Sequence, residues 1–472
     1  MCLILPICGI LGIVSFATDE KKVFYVSSSA GNDSNDGSEE RPFQHLSCKK
    51  IPASGATIKL KSGDVFYENI KLNGNDLTSY GSGPKPVLSG WKIGKTEKIG
   101  WEEGKLVKGR WVPKKGTHVW RLDMEQENFG GRNKSSQQYE NNIGMIVDVT
   151  NNVMHGHKCE YLYKEDCKDP NIHAQRNTYL KNNFDFAQTS KSKEKPQPSD
   201  YRYLYMYLDH DPSKYKFKFS TYGHGIVVKN ANVKGLRVEG FGCHGMTCGS
   251  NASISDCEID YVGGAQQIGH AAWARFGNGV EFYISKTLKN GKVFNNYISH
   301  TFDCGTTIQG SKHPGAYAED IVFEKNIISN CRQAFEYFLN NSDKEKNYDC
   351  VGCAFRNNVC IDSGDNGFVS PEMRDTHILS YQKKYSSSIV IEGNVFIGGK
   401  GLYTAANPEL ISFGKNEYYY VDSPMLWTSG KKENVVMYDE KQKSNDTRLK
   451  ISNVKFQRLT KDELKKKIKS YK

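Results

Sequence analysis

This chain has no dinucleotide-binding fingerprint, no phosphate-cradling glycine loop and no Ser-His-Asp nucleophile elbow. Nucleotide-dependent chemistry and serine-type acyl transfer therefore have no motif to rest on. Long hydrophobic runs are scarce: after residue 17 no stretch could cross a membrane, because a helical span needs about 20 apolar residues. Nor is the charge gathered into a groove-like field. Much of the net charge of +11 lies in residues 191–195 and in the closing KDELKKKIKSYK. That reads as solvated surface with a basic tail, or as attraction to an acidic polymer such as a uronate or sulfated glycan. Nucleic acid is not an expected partner.

The one apolar run present, MCLILPICGILGIVSFA, closes on the small-residue pattern Ser15-Phe16-Ala17. It reads as a signal peptide over residues 1–18, although a basic start is missing. A transmembrane anchor is the alternative, but the run is short for a span and charged residues follow directly. The expected location is secreted or extracytoplasmic, without stable membrane insertion. An exported chain tolerates disulfides. Of its thirteen cysteines, Cys159 and Cys167 flank a short loop and are a candidate pair. Cys257, Cys331 and Cys360 fall inside repeat units, where a thiol packs as a small hydrophobe. Cys350-Val-Gly-Cys353 is a lone CxxC, a poor zinc site without a second pair.

What is present is a loose repeat. KNIISNCRQAFEYF, NNVCIDSGDNGFVSP and GNVFIGGKGLYTA place Asn326, Asn358 and Asn394 before short apolar runs, each followed by a Gly- or Ala-led strand. NNYISHTFDCGTTIQG and SDCEIDYVGG fit the same frame. Strand-only units repeating every 20–40 residues or so indicate a solenoid, here an all-β parallel β-helix. The asparagines read as an internal turn ladder, each amide satisfying backbone groups of the next coil. The 44 glycines and 27 tyrosines suit such a turn-rich β protein.

The N-terminal series VFYVSSSAGNDSNDGSEERPFQHLS, ATIKLKSGDVFYENIKL and LTSYGSGPKPVLSG resembles the opening of secreted right-handed parallel β-helix proteins of the pectin-lyase-like superfamily. The resemblance implies a short capping helix beginning near Pro42-Phe43 and a first coil near Ala56. Residues 19–95 are then the N-terminal cap and first coils. Residues 96–220 break the rhythm and read as an inserted β-rich segment, because YRYLYMYLDHDPSKY alternates aromatic with polar residues. The main solenoid is expected over 221–430, with a C-terminal cap and basic tail over 431–472. GGAQQIGHAAWARFGNGVEFY and TFDCGTTIQG resemble a subgroup of exported bacterial β-helix proteins, many of them polysaccharide-active. The superfamily holds lyases, hydrolases, epimerases and adhesins, so the reaction must be argued from the site.

Aligning the small-residue-led strands puts Met246, Val280, Thr306, Phe335, Phe368 and Leu402 inward. Thr247, Glu281, Thr307, Glu336, Val369 and Tyr403 then form one exposed ladder, because side chains alternate along a strand. Tyr283, Gln309 and Phe338 form the next. Glu281 and Glu336 thus stand two coils apart, about 9.6 Å between backbones, with Thr307 between them and Asp303 in the preceding turn. Inverting glycosidases hold their carboxyls about 6.5–9.5 Å apart. Glu281, Asp303 and Glu336 are the candidate catalytic acids. Tyr283, Phe338, Tyr337 and Trp273 supply aromatic faces for sugar stacking. The loop GGAQQIGHAAWARFGNG adds His270, Trp273 and Arg275, and His270 or His300 can serve as a base. His224 and His244 are weaker candidates. With Thr307 and Gln309, these complete the expected substrate contacts.

No cofactor is expected. Calcium is the one metal that the acid-rich turns admit, through Asp362, Asp365 and Glu372, although EF-hand spacing is absent. The expected function is a secreted, monomeric glycoside hydrolase acting on a polysaccharide or oligosaccharide. The alternatives are a lyase acting on a uronate glycan through Arg275, His270 and Tyr283, and a non-catalytic adhesin-like solenoid.

Overall fold

The computed structural model describes residues 21–94, 100–127, 129, 140–155, 158–159, 162–166, 179–188, 197–270, 274–311, 315–340, 350–364, 375–380, 389–408, 411–441 and 450–471. Three ten-stranded sheets run the length of the molecule. Ala231–Lys234, Arg237–Glu239 and Met246–Cys248 contribute one strand to each sheet in turn, and Ala252–Ser255 begins the next coil. Each strand pairs in parallel with its counterpart one coil on, as in Met246↔Val280, Val280↔Thr306 and Thr306↔Phe335. The fold is a parallel β-helix.

Period-two alternation sends one side-chain set of every strand inward. Val238, Ile259, Ile298, Ile328, Phe355 and Phe396 lie in one continuous buried core. Cys257, Cys331 and Cys360 join it as buried thiols. Inside the turns the expected asparagine ladder runs further than its three members. Asn296, Asn326, Asn358, Asn394 and Asn416 each accept through Oδ1 from the backbone N–H one coil before, or donate through Nδ2 one coil on, at 2.9–3.1 Å. A turn that must be buried has no water to satisfy its amides, and asparagine supplies both a donor and an acceptor.

The start differs from the expectation. No helix begins at Pro42-Phe43. Phe43 instead bridges the first strand, donating to the Tyr25 carbonyl and accepting from Ser27 N–H, with its ring fully buried. The solenoid sheet also starts earlier than Ala56, because Lys22–Val26 pairs in parallel with Ala56–Lys61.

Val87–Ser89 and Ile226–Lys229 are consecutive strands of one coil, in the second and third sheets. Between them the chain leaves the solenoid and builds two antiparallel sheets, of five and four strands. Trp101, Leu122, Phe186, Leu204, Met206 and Phe219 form their own core. Lys158 is buried there. Its ammonium donates to Asn142 Oδ1, the Ile143 carbonyl and Gln188 Oε1 at 2.8–3.1 Å, an acceptor for each proton.

The C-terminal tail forms the helix Lys461–Lys469, opened by a Thr460/Glu463 capping box. Its Leu464 and Ile468 pack with Ile361, Ile397 and Tyr419 on the outside of the second sheet. Residues 1–18, where a signal peptide was expected, and Cys167 lie outside the described residues, and with them the expected Cys159–Cys167 pair. Among the described residues no helix is long and apolar enough to cross a membrane.

Candidate active site

The third sheet carries one ladder of outward positions, read from the register as Lys71, Val227, Thr247, Glu281, Thr307, Glu336, Leu379, Thr404 and Thr428. The expected ladder meets this one as far as Glu336 and then departs from it. The rung after Glu336 is Leu379 of Ile378–Ser380. Phe368 and Val369 lie outside the described residues. Tyr403 pairs with Ile378 on the core side, so Leu402 does not occupy that rung. The strand does begin at Gly401, but its core-facing rung falls two residues after the glycine, at Tyr403, instead of one, so the outward rung moves on to Thr404.

The ladder is not exposed at its centre. Glu281, Thr307 and Glu336 are only 6%, 0% and 5% exposed. The turns leading into these strands supply the neighbours. Gly225, Gly245 and Gly279 donate to the carbonyls of His244, Asn278 and Cys304, so the residues just before each strand stack coil on coil. A Cβ on Gly279 would lie 2.5 Å from the Gly305 carbonyl oxygen. That contact keeps the strand start bare and lets the turn side chains close over the ladder.

Glu281 is held from three sides. Its Oε1 accepts from Gln309 Nε2 at 2.6 Å and Asn278 Nδ2 at 3.2 Å. Oε2 lies 3.3 Å from His244 Nε2. His244 Nδ1 accepts the Asn278 backbone N–H at 3.0 Å, which assigns the neutral imidazole proton to Nε2 and makes it a donor to Glu281. Burial dominates the electrostatics: it pushes the Glu281 carboxyl up, against the lowering effect of Gln309, His224 and Asn278. His244 is pushed down to about 4 by burial, opposed by the Asp303 charge. His224, its ring 5.2 Å from His244, is also pushed down to about 4, by burial and then by its histidine neighbour.

Across Thr307 lies the second group. Ligand atoms of Asp303, Cys304 and Glu336 lie within 4.8 Å of one another. The Cys304 thiol donates towards Glu336 Oε2 at 3.3 Å. Burial, followed by Glu336 and Asp303, pushes that thiol far above its ordinary range, so it is a neutral donor. Asp303 is half-buried, the most open of the three carboxylates. Beside them Arg332 Nε donates to Asp375 at 2.8 Å, both buried. Thr307 Oγ1 is buried with no hydrogen-bond partner.

The other expected contacts separate into groups. Tyr283, Gln309 and Phe338 share one outward ladder; Tyr283 is 44% exposed and Phe338 half-buried. Tyr337 points to the core. His270 is exposed in its loop and makes no hydrogen bond or ion pair with a described side chain. Arg275 donates to the Lys158 carbonyl and lies over the Phe302 ring, so it braces the loop against the inserted sheets. His300 stacks on Tyr261 and bonds Asp260 at 2.9 Å, on the second sheet and away from the carboxylates. Trp273, Asp365 and Glu372 lie outside the described residues. Asn278, Cys304, Gln333, Arg332 and Asp375 were not singled out from sequence. The available signal was the small residue that follows Asn278, Cys304 and Gln333 directly (Gly279, Gly305 and Ala334); Asp375 precedes the strand Ile378–Ser380, which has no such mark.

No protein-family model matches this chain, and no curated protein does. Among solved structures it is similar to a complex of XylC with xylose, at 12% identity and TM-score 0.41, over 92% of this chain and 82% of that one. It is also similar to a GH136 lacto-N-biosidase from Eubacterium ramulus, at 11% identity and TM-score 0.34, over 93% and 67%. A third structure, titled a glycoside hydrolase, shares 11% identity at TM-score 0.39, over 86% and 89%. Likeness at this distance carries no argument about the reaction.

Proposed function

We propose that the protein is an exported glycoside hydrolase acting on a polysaccharide or oligosaccharide. The observation that carries this reading is the pair of acidic groups on one ladder, Glu281 on one side of Thr307 and Asp303 with Glu336 on the other. Their chemistry is differentiated. Glu281 is buried with its carboxyl pushed up, so it suits protonation of a leaving glycosidic oxygen. Asp303 is more open and sits against Glu336 and a neutral thiol, which suits removal of a proton from water. One coil, about 4.8 Å between backbones, separates the strand of Glu281 from the turn that carries Asp303, which lets both carboxyls face one glycosidic bond. Tyr283 and Phe338 border the same coils and offer sugar-stacking faces.

β-Elimination is the second reading, and it needs a cation to neutralise the uronate carboxylate. Beside the carboxylates Arg332 pairs with Asp375 and Arg275 donates to the Lys158 carbonyl, so that cation would have to be Lys71, three rungs from Glu281 on the same ladder.

The test incubates the purified protein with a panel of neutral and acidic polysaccharides, reading reducing ends and the ultraviolet absorbance of unsaturated products together. Hydrolysis gives reducing ends without absorbance, lost in Glu281→Gln and Asp303→Asn. Absorbance rising with the reducing ends identifies a lyase and overturns the reading.

A further inference from the structure

A cavity of about 620 Å³ lies where the inserted sheets meet the first coils, within the usual size range of small-molecule sites. Its walls come from Tyr67 and Glu68 of the first coils, Lys92 and Glu140 of the inserted segment, and Tyr222 and Phe241 from the turn stack. It adjoins the turn stack that leads to the carboxylate ladder. Ile70 stands opposite Ile226 in the register, so Glu68 precedes its strand at the position His224 holds one coil on. Tyr222 and Gly223 line the cavity and lead directly into His224.

Two of its polar groups are uncommitted. Glu140 Oε2 is a buried oxygen with no hydrogen-bond partner. Lys92 makes no ion pair or hydrogen bond with a described side chain, although its charge acts on Glu140. Buried polar groups are ordinarily satisfied, and an orphan in a roomy polar cavity marks a place for a ligand. Glu68, by contrast, is already bound by the backbone N–H groups of Leu46 and Ser47 at 3.1 and 3.2 Å.

We propose that this cavity is a second sugar-binding site beside the carboxylate ladder, and that it takes a neutral, hydroxyl-rich ring. Glu140 accepts one hydroxyl and Lys92 donates to another, while Tyr67, 58% exposed, offers a stacking face at the rim. A uronate is disfavoured, because Glu68 and Glu140 place two carboxyls against one ammonium. Burial pushes the Glu140 carboxyl up, which a neutral ligand tolerates. The inference rests on the glycan reading of that ladder and deepens it, by naming neutral glycans as the substrate class.

The experiment is isothermal titration with cellohexaose, xylohexaose, mannohexaose, chitohexaose and hexagalacturonate. The proteins are wild type, Glu140→Gln, Lys92→Met and the exposed control Lys432→Met, with Glu281→Gln added to each where a probe is degraded. Expected is binding of at least one neutral probe, weakened about tenfold by Glu140→Gln and by Lys92→Met, as for loss of a hydrogen bond to a charged group. The control should match wild type, and melting temperatures will show that the variants fold. An unchanged Kd in both pocket variants, tighter binding of hexagalacturonate, or no binding by any probe would each overturn the proposal. Hydrolysis that survives in Glu281→Gln, alongside weakened binding in the pocket variants, would instead overturn the carboxylate assignment and leave the pocket standing.

Discussion

At the scale of single residues, the site works through one buried carboxyl and the donors around it. Gln309, Asn278 and the Nε2–H of His244 all point at Glu281, yet burial outweighs them and raises its pKa. A proton donor is competent while protonated, so activity should fall as pH rises through the raised Glu281 pKa. Glu281→Gln should lower kcat about 10²–10⁴-fold and flatten that alkaline limb; a pH–rate profile of both proteins checks this. The same raised pKa opposes stability above the ordinary carboxyl range of about 4.5. There the folded state must ionise a buried group or keep a proton that the unfolded chain has lost. Thr307 makes the opposite kind of prediction. Its hydroxyl is fully buried and unpartnered, so Thr307→Val removes an unmet polar group at nearly constant shape. Chemical denaturation should show stability unchanged or raised by about 1 kcal/mol, with hydrolysis retained.

At the scale of elements, the asparagine turn stack carries what the strands cannot. Asn394 accepts from the backbone and side chain of Asn358, and donates to Asn416 and to the Phe355 carbonyl. Asn394→Ala orphans a buried N–H and a buried carbonyl together, at a cost of about 2–4 kcal/mol. Denaturant midpoints are the measurement, and a loss below about 1 kcal/mol would mean that water replaces the amide. This ladder was legible because its members recur at a fixed place before each apolar run. The outward carboxylate ladder was legible through Glu336 for the same reason. It failed beyond that point where the next described strand, Ile378–Ser380, opens without a small residue, and where the strand led by Gly401 turns Tyr403 instead of Leu402 onto the core rung. Register depends on the length of a turn, and composition does not record it.

At the scale of the molecule, two additions complete the solenoid. The C-terminal helix lays Leu464 and Ile468 on the apolar outer face of the second sheet. Removing residues 459–472 should expose Ile361, Ile397 and Tyr419, lower the melting temperature and promote association; scanning calorimetry and size-exclusion chromatography read both. The inserted sheets leave the coil between Val87–Ser89 and Ile226–Lys229, in the turn that precedes the third sheet, and Arg275 ties the neighbouring loop back to Lys158. The sequence by itself determined the coil: alternation, small-residue strand starts and buried asparagines are local patterns with one stable outcome. Only the tertiary structure decided which side chains close over the ladder. His224, His244, Asn278, Cys304 and Gln333 lie as much as about a hundred positions apart in the chain. They meet because parallel coils stack turn on turn at about 4.8 Å, a proximity that no local pattern encodes.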